Sequence, residues 1–402
     1  MSMSDNLVDR PETVKTAVST VHPGLLRDLA PPFLRLGLTA FGGPAAHIAM
    51  MDEEFVRRRQ WVTREEFLDM LGASNLVPGP SSTEMAIHIG HQRAGWRGLV
   101  IAGVCFILPA MLIVMLCAWA YVTFGSLPQI QGILYGVKPV IIAVVFQALW
   151  GLARAAVKNR LLAGIGLLAT AGALAGGNVL AILLAAGGAA TFEAWIKQRT
   201  VGANPAALWT IKSLLAPTAV SAAAVTISLS GLFLVFLKFG AVIFGSGYVL
   251  LAFLQADLVS RLHWLSQAQL LDAVAVGQVT PGPVFTTATF IGYLLGGVPG
   301  AVIATIGIFL PGFLFVAASR PLIPRLRYSK IAGAFLDGVN VGAVALMIAV
   351  TWQLSSAAVV DLLTGGIAAL SAVVLLYFRI NSVWLIFAGA LLGFAWTGRF
   401  AG

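Results

Sequence analysis

The sequence is short of charge and nearly free of cysteine. Only 10% of its 402 residues are charged while 59% are hydrophobic, against about a quarter charged in a soluble domain, which excludes a water-soluble surface. Cys105 and Cys117 are the only cysteines and share one apolar run, so neither a disulfide framework nor a metal cluster is expected. Strand alternation is missing, which argues against a β-barrel. No His-Glu-x-x-His helix, Gly-x-Ser-x-Gly elbow or Gly-x-x-x-x-Gly-Lys-Ser/Thr loop occurs, so an embedded enzyme and an ATP-driven pump both lack their signatures. No cofactor is expected. Residues 1–30 carry Asp5, Asp9, Glu12 and Asp28 without a long apolar core, unlike a cleavable signal.

What is present is a series of apolar runs, among them Leu99 to Trp119, Val140 to Leu152 and Ile331 to Ala349. They approach or reach the roughly 20 residues that cross a bilayer as helix. The net charge of +9 sits in short loops between these runs, where cytoplasmic positive charge is expected; that placement speaks against nucleic acid as a partner.

The chain repeats itself. Phe33, Arg35, Gly37 and Phe41-Gly42 recur 203 positions later as Phe236, Lys238, Gly240 and Phe244-Gly245, and the offset carries Trp61 onto Trp264, Asp69 onto Asp272, Asn75 onto Gln278 and Pro78-Gly79-Pro80 onto Pro281-Gly282-Pro283. After one deletion an offset of 202 pairs Ile89-Gly90 with Ile291-Gly292, Leu108-Pro109 with Leu310-Pro311, Lys138 with Asn340 and Trp150 with Trp352. Paired Trp and Pro-Gly-Pro go beyond generic helix-packing glycine. Loop charges of equivalent segments are opposite: Gly125 to Pro128 is neutral against Arg320, Arg325, Arg327 and Lys330, whereas Arg154, Lys158 and Arg160 face a counterpart with only Asp361. Arg93 and Arg97 likewise oppose a neutral Gly296 to Gly300. Opposite signs predict inverted repeats about an axis in the membrane plane.

The fold expected is therefore an all-α polytopic membrane protein with two inverted-topology repeats. An N-terminal cytoplasmic or interfacial segment covers 1–30, the first repeat 31–192, a linker 193–235 and the second repeat 236–402. Within the linker, Ser213 to Ser230 reads either as one more crossing or as a helix at the surface.

Binding chemistry is expected where membrane helices are interrupted, because unpaired backbone is tolerated at depth only when buried in protein or lining a cavity. Each Pro-Gly-Pro separates two apolar pieces too short to span, Glu66 to Val77 from Ser81 to Gln92 and Leu271 to Thr280 from Val284 to Leu295. This predicts paired broken or re-entrant helices, the alternative being a tight loop between ordinary ones. The helix start after each turn suits an anion, with Ser81, Ser82, Thr83, Thr280, Thr286 and Thr287 as hydroxyl donors and Asn75 and Gln278 just ahead of the turns. Arg35 and Lys238 lie in apolar segments beside Gly-rich breaks, the first at Gly42-Gly43, and are candidate cations for the substrate, or else snorkel to the interface. Lys138, Asn340 and Asp337 are secondary candidates. Glu84 is either a helix-start carboxylate or a proton-exchanging group, and His47 and His88 are candidates for titration or plain hydrogen bonding. Trp61 and Trp264 read as interfacial anchors.

Phe41-Gly42-Gly43-Pro44 followed by His47, with Pro78-Gly79-Pro80 and Pro281-Gly282-Pro283, resembles the duplicated-domain chromate ion transporter family over residues 31–402. The second copy departs from the pattern, with Ser246-Gly247 and Leu250 in place of Gly43-Pro44 and His47. The resemblance implies export of chromate from bacteria across the cytoplasmic membrane by a secondary transporter, with sulfate-like oxyanions as competitors and chromate resistance as the outcome. A channel or an uptake carrier for another small anion is the alternative. The implied partners are a small inorganic anion and membrane lipid, with a homodimer left open.

Overall fold

The computed structural model describes residues 23–199, 227–244, 247–319, 329–378 and 380–400. Ser213, Ser246, Arg320, Arg325 and Arg327, with most of the expected N-terminal segment and linker, lie outside them. Helix is the regular structure found among the described residues, and these helices fall into two sets of seven. The first set is α1 (Pro23–Thr39), α2 (Gly43–Met51, continued by a π-helical stretch Asp52–Arg58), α3 (Arg64–Ser74), α4 (Ser81–Phe124), α5 (Pro128–Ala156), α6 (Arg160–Leu174) and α7 (Val179–Arg199). The second is α8 (Leu229–Val242), α9 (Leu250–Phe253, continued by π-helical Leu254–Arg261), α10 (Gln267–Val279), α11 (Thr287–Ser319), α12 (Lys330–Ala358), α13 (Leu362–Phe378) and α14 (Ser382–Phe400). Helices α7 and α8 thus take in residues 193–199 and 229–235 of the stretch read as linker.

Local features recur in register. Thr63 and Glu66 form a capping box on α3, and Ser266 and Gln269 form its equal on α10; each side chain meets a backbone N–H that the first turn leaves free. Gln60 and His263 both take a positive φ, 52° and 53°. Helix α4 would be about 66 Å long if straight, more than twice the hydrocarbon core, but Ala94 and Gly95 leave helical geometry. Gly296 and Gly297 do the same in α11, with φ of 59° at Gly95 and 61° at Gly297. The pieces between each Pro-Gly-Pro and its kink are the short helices expected from the sequence.

Among the described residues five helices are long and apolar enough to cross a membrane: Ser81–Phe124, Pro128–Ala156, Val179–Lys197, Val284–Ala318 and Lys330–Ala358. Their outward faces keep Leu112, Leu116, Leu314 and Trp352 exposed, as lipid contact requires.

The halves exchange partners. Helix α5 packs on α14 while α12 packs on α7, and α4 and α11 pack on each other. Small residues make this possible. Any side chain at Gly393 would strike the Gly132 backbone, and one at Gly389 would meet Gly136 and Val140, so α5 and α14 run antiparallel. Helices α12, α13 and α14 alternate through short turns, so α12 shares the direction of α14 and opposes α5, its sequence equivalent. The repeats are therefore inverted, as the loop charges predict.

Candidate functional site

Proline at 78, 80, 281 and 283 removes backbone donors and ends α3 and α10, leaving Gly79 and Gly282 to turn the chain at φ 142° and 92°. Only one amide in each Pro-Gly-Pro can donate, and both cross to the other half. Gly79 N–H donates to the Ile243 carbonyl at 2.7 Å, and Gly282 N–H donates to the Ala40 carbonyl at 2.8 Å. These acceptors are equivalent residues, at the end of α8 and just past α1, where each of those helices is interrupted. Ala40 also accepts from His47, its carbonyl 3.1 Å from Nε2, and Gly42 and Gly43 beside it have φ of 99° and 78°. Gly43 faces the Tyr248 hydroxyl of the second break. Four interrupted helix ends meet here.

Beyond the first turn, Ser81, Ser82, Thr83, Glu84 and His88 are all buried. The Thr83 and Glu84 amides donate to the Pro80 carbonyl at 2.8 and 3.0 Å. Glu84 is 0% exposed, set against Gly79 and Gly312 of α11. Among the described residues neither of its carboxylate oxygens has a hydrogen-bond partner, nor do Thr83 Oγ1, His88 Nε2 or His47 Nδ1. Buried polar atoms left unmet are few in folded proteins, and four residues of this kind come from α2 and the first turns of α4.

The second turn differs. The hydroxyls of Thr280, Thr286 and Thr287 donate at 2.8 Å to the carbonyls of Val276, Pro283 and Val284. Their protons are taken, so they turn lone pairs rather than donors outward. Gln278 Oε1 accepts from Tyr248 at 3.3 Å, and its Nε2 is buried without a partner among the described residues, which leaves an N–H donor beside the turn.

The candidate cations are dispersed. Lys238 pairs with Asp257 at 2.5 Å, and Arg261 binds the same carboxylate at 3.0 Å. Two cations on one acid border a cavity of about 420 Å³ with Gln255, Asn178 and Gln353. Arg35, the sequence equivalent of Lys238, is exposed on α1. Lys138 reaches Asp272 of α10 at 3.1 Å, and Tyr121 donates to the same acid at 2.9 Å. Asn75, Asp337 and Asn340 come together in a cavity of about 270 Å³ that Lys158 and Phe244 also line. A larger groove of about 640 Å³ between α4 and α11 is apolar apart from His91 and Thr305, an unsuitable lining for an oxyanion.

Sequence reasoning missed Asp257, Asp272, Tyr121 and Lys158 as site residues. Asp272 was visible as a repeat match to Asp69, and Lys158 as a loop charge; their partners are 134 and 179 positions away (272 − 138 and 337 − 158), distances no local pattern spans.

A family model described as chromate transporter matches residues 27–192 and again 230–394. The chain is 35% identical to the chromate transport protein of Cupriavidus metallidurans over 94% of this chain and 95% of that one. It is 34% identical to the probable chromate transport protein of Synechococcus elongatus, over 80% and 83% of the two chains. With the chromate transport protein of Pseudomonas aeruginosa it shares 32% identity over 98% of each. No solved structure matches it.

Proposed function

This chain belongs to the chromate transporter family, a family of membrane transporters rather than enzymes, and from that premise we propose that it exports chromate across a bacterial cytoplasmic membrane as a secondary transporter. Chromate resistance is the expected outcome for the cell. Sulfate and other tetrahedral dianions share the charge and shape of chromate and compete for the same site. The observation that carries this reading is the crossed pair of bonds from Gly79 to Ile243 and from Gly282 to Ala40. They join the broken helices of two inverted repeats at one place, where movement of one half against the other changes which face reaches the site.

In this reading Ser81, Ser82 and the Gln278 amide present donors to the ion, while Lys138, Lys158 and Lys238 supply positive charge along its route. Glu84, His47 and His88 couple or gate the movement from their buried positions. Purified protein in proteoliposomes tests it: labelled chromate is expected to move in a saturable manner, to respond to an imposed ion gradient, and to be displaced by sulfate. Linear, gradient-independent flux would instead identify a channel, and an absence of chromate flux would remove the substrate.

A further inference from the structure

The cavity of about 270 Å³ collects parts of both repeats: Asn75 at the end of α3, Lys158 at the end of α5, Phe244 at the second break, and Asp337 and Asn340 on α12. That volume is many times what one water requires, ample for a small hydrated ion. Lys158 Nζ lies 2.7 Å from Asp337 Oδ1, with the two side chains 59% and 33% exposed. A pair so wetted contributes little to stability. Its effect on an entering anion is larger. Among the described residues lining the cavity Lys158 is the one cation and Asp337 the one anion, so an anion that binds Lys158 there competes with the Asp337 carboxylate for it.

Coulomb attraction scales with the product of the charges. A dianion gains twice as much from Lys158 as the single charge of Asp337 does, whereas a monoanion gains only as much as the carboxylate it displaces. Asp337 is partly exposed and has solvent to turn into once displaced. Asn75 and Asn340 then supply amide N–H donors to the bound oxygens, and Asn75 stands three residues ahead of Pro78. We propose that Lys158 and Asp337 form a charge filter at this cavity, opened by a divalent oxyanion that replaces Asp337 on Lys158 and left closed to monovalent anions. The inference rests on the transport function proposed above and adds the basis of its selectivity.

The test is labelled chromate flux in proteoliposomes, with equilibrium dialysis of the same ion on the detergent-purified protein, for the parent, Lys158→Gln and Asp337→Asn. Lys158→Gln is expected to raise the half-saturating concentration by about tenfold or more, the loss of one charge-assisted contact. Asp337→Asn is expected to lower it by about threefold and to let nitrate compete where it does not compete in the parent. Shifts of the same sign in both variants, with equal loss of thermal stability, would mark an ordinary structural ion pair and overturn the filter while leaving transport intact. Unchanged affinities in both variants would overturn it equally. If the parent binds sulfate but not chromate, the substrate proposed above falls and the variants are scored on sulfate; if it binds neither, both proposals fall.

Discussion

Gln255, Asp257 and Asp272 of the second repeat are buried, whereas their equivalents in the first repeat, Asp52, Glu54 and Asp69, are half-buried or exposed. The two segments share a register down to the π-helical stretches and capping boxes, yet the second is wedged between α5 and α12 while the first rests on α1 and α4. The same contrast separates Lys238, tied to Asp257, from exposed Arg35; the acid equivalent to Asp257 is Glu54, and its partners are Arg58 and Arg59. One folding pattern in two environments teaches that sequence equivalence fixes local geometry and leaves packing free.

The comparison breaks most severely at the glycines of the two turns. A leucine at either turn must hold a positive φ, 92° at Gly282 and 142° at Gly79, but at Gly282 it also meets Ala110 and the Gly37 carbonyl, while at Gly79 it meets chiefly the far end of the Glu84 side chain. Gly282→Leu is expected to cost about 4 kcal/mol, strain and overpacking together, and to abolish recovery of monodisperse protein; Gly79→Leu is expected to be recovered at reduced yield. Equal recovery would show that the two turns are packed alike.

Next in size is Asp272→Asn, which strips Lys138 of its counter-charge within the protein. A loss of about 3 kcal/mol is expected, seen as a lowered unfolding temperature in detergent, with little change for Asp69→Asn at the exposed equivalent. The capping boxes should behave identically, since Thr63 and Ser266 meet the same backbone groups: Thr63→Ala and Ser266→Ala each cost about 1 kcal/mol in the same assay.

The smallest effect is at the turn before α13. The Thr364 amide, followed by the Tyr135 hydroxyl, holds the Asp361 carboxyl below its ordinary value. A lowered folded-state value means stability that is present above the ordinary carboxylate range and is lost as pH falls through the folded one. The parent should therefore lose stability on acidification slightly more steeply than Asp361→Asn, and parallel acid titrations of the two would contradict this.

Much of the fold was legible because duplication leaves pairs of rare residues at one offset. Trp61 with Trp264 and the two Pro-Gly-Pro turns establish the register, and Lys and Arg in the loops establish the inversion. The short apolar pieces read after each Pro-Gly-Pro, Ser81 to Gln92 and Val284 to Leu295, stop just ahead of the kinks at Ala94-Gly95 and Gly296-Gly297. The crossed bonds were not legible, because the acceptors at Ala40 and Ile243 are carbonyls that every residue carries. Nor was the exchange of α7 and α14 between halves, since Gly132 and Gly393 announce close packing without naming a partner. The site was legible as a set of breaks and charges, but not as an arrangement: Arg35 and Lys238 read alike in sequence, and only the packing of the second segment gives Lys238 its acid.

Inverted repeats that meet at their broken helices require opposite faces for equivalent kinks. The direct measurement uses single cysteines at Trp96 and Val298, both exposed beside their kinks, in a Cys105→Ala/Cys117→Ala background, with a membrane-impermeant thiol reagent applied to intact cells. Labelling of the cysteine at 298 alone from outside, and of the cysteine at 96 only after the membrane is opened, is the expected result. Labelling of both from the same side would contradict the inversion and the shared site built on it.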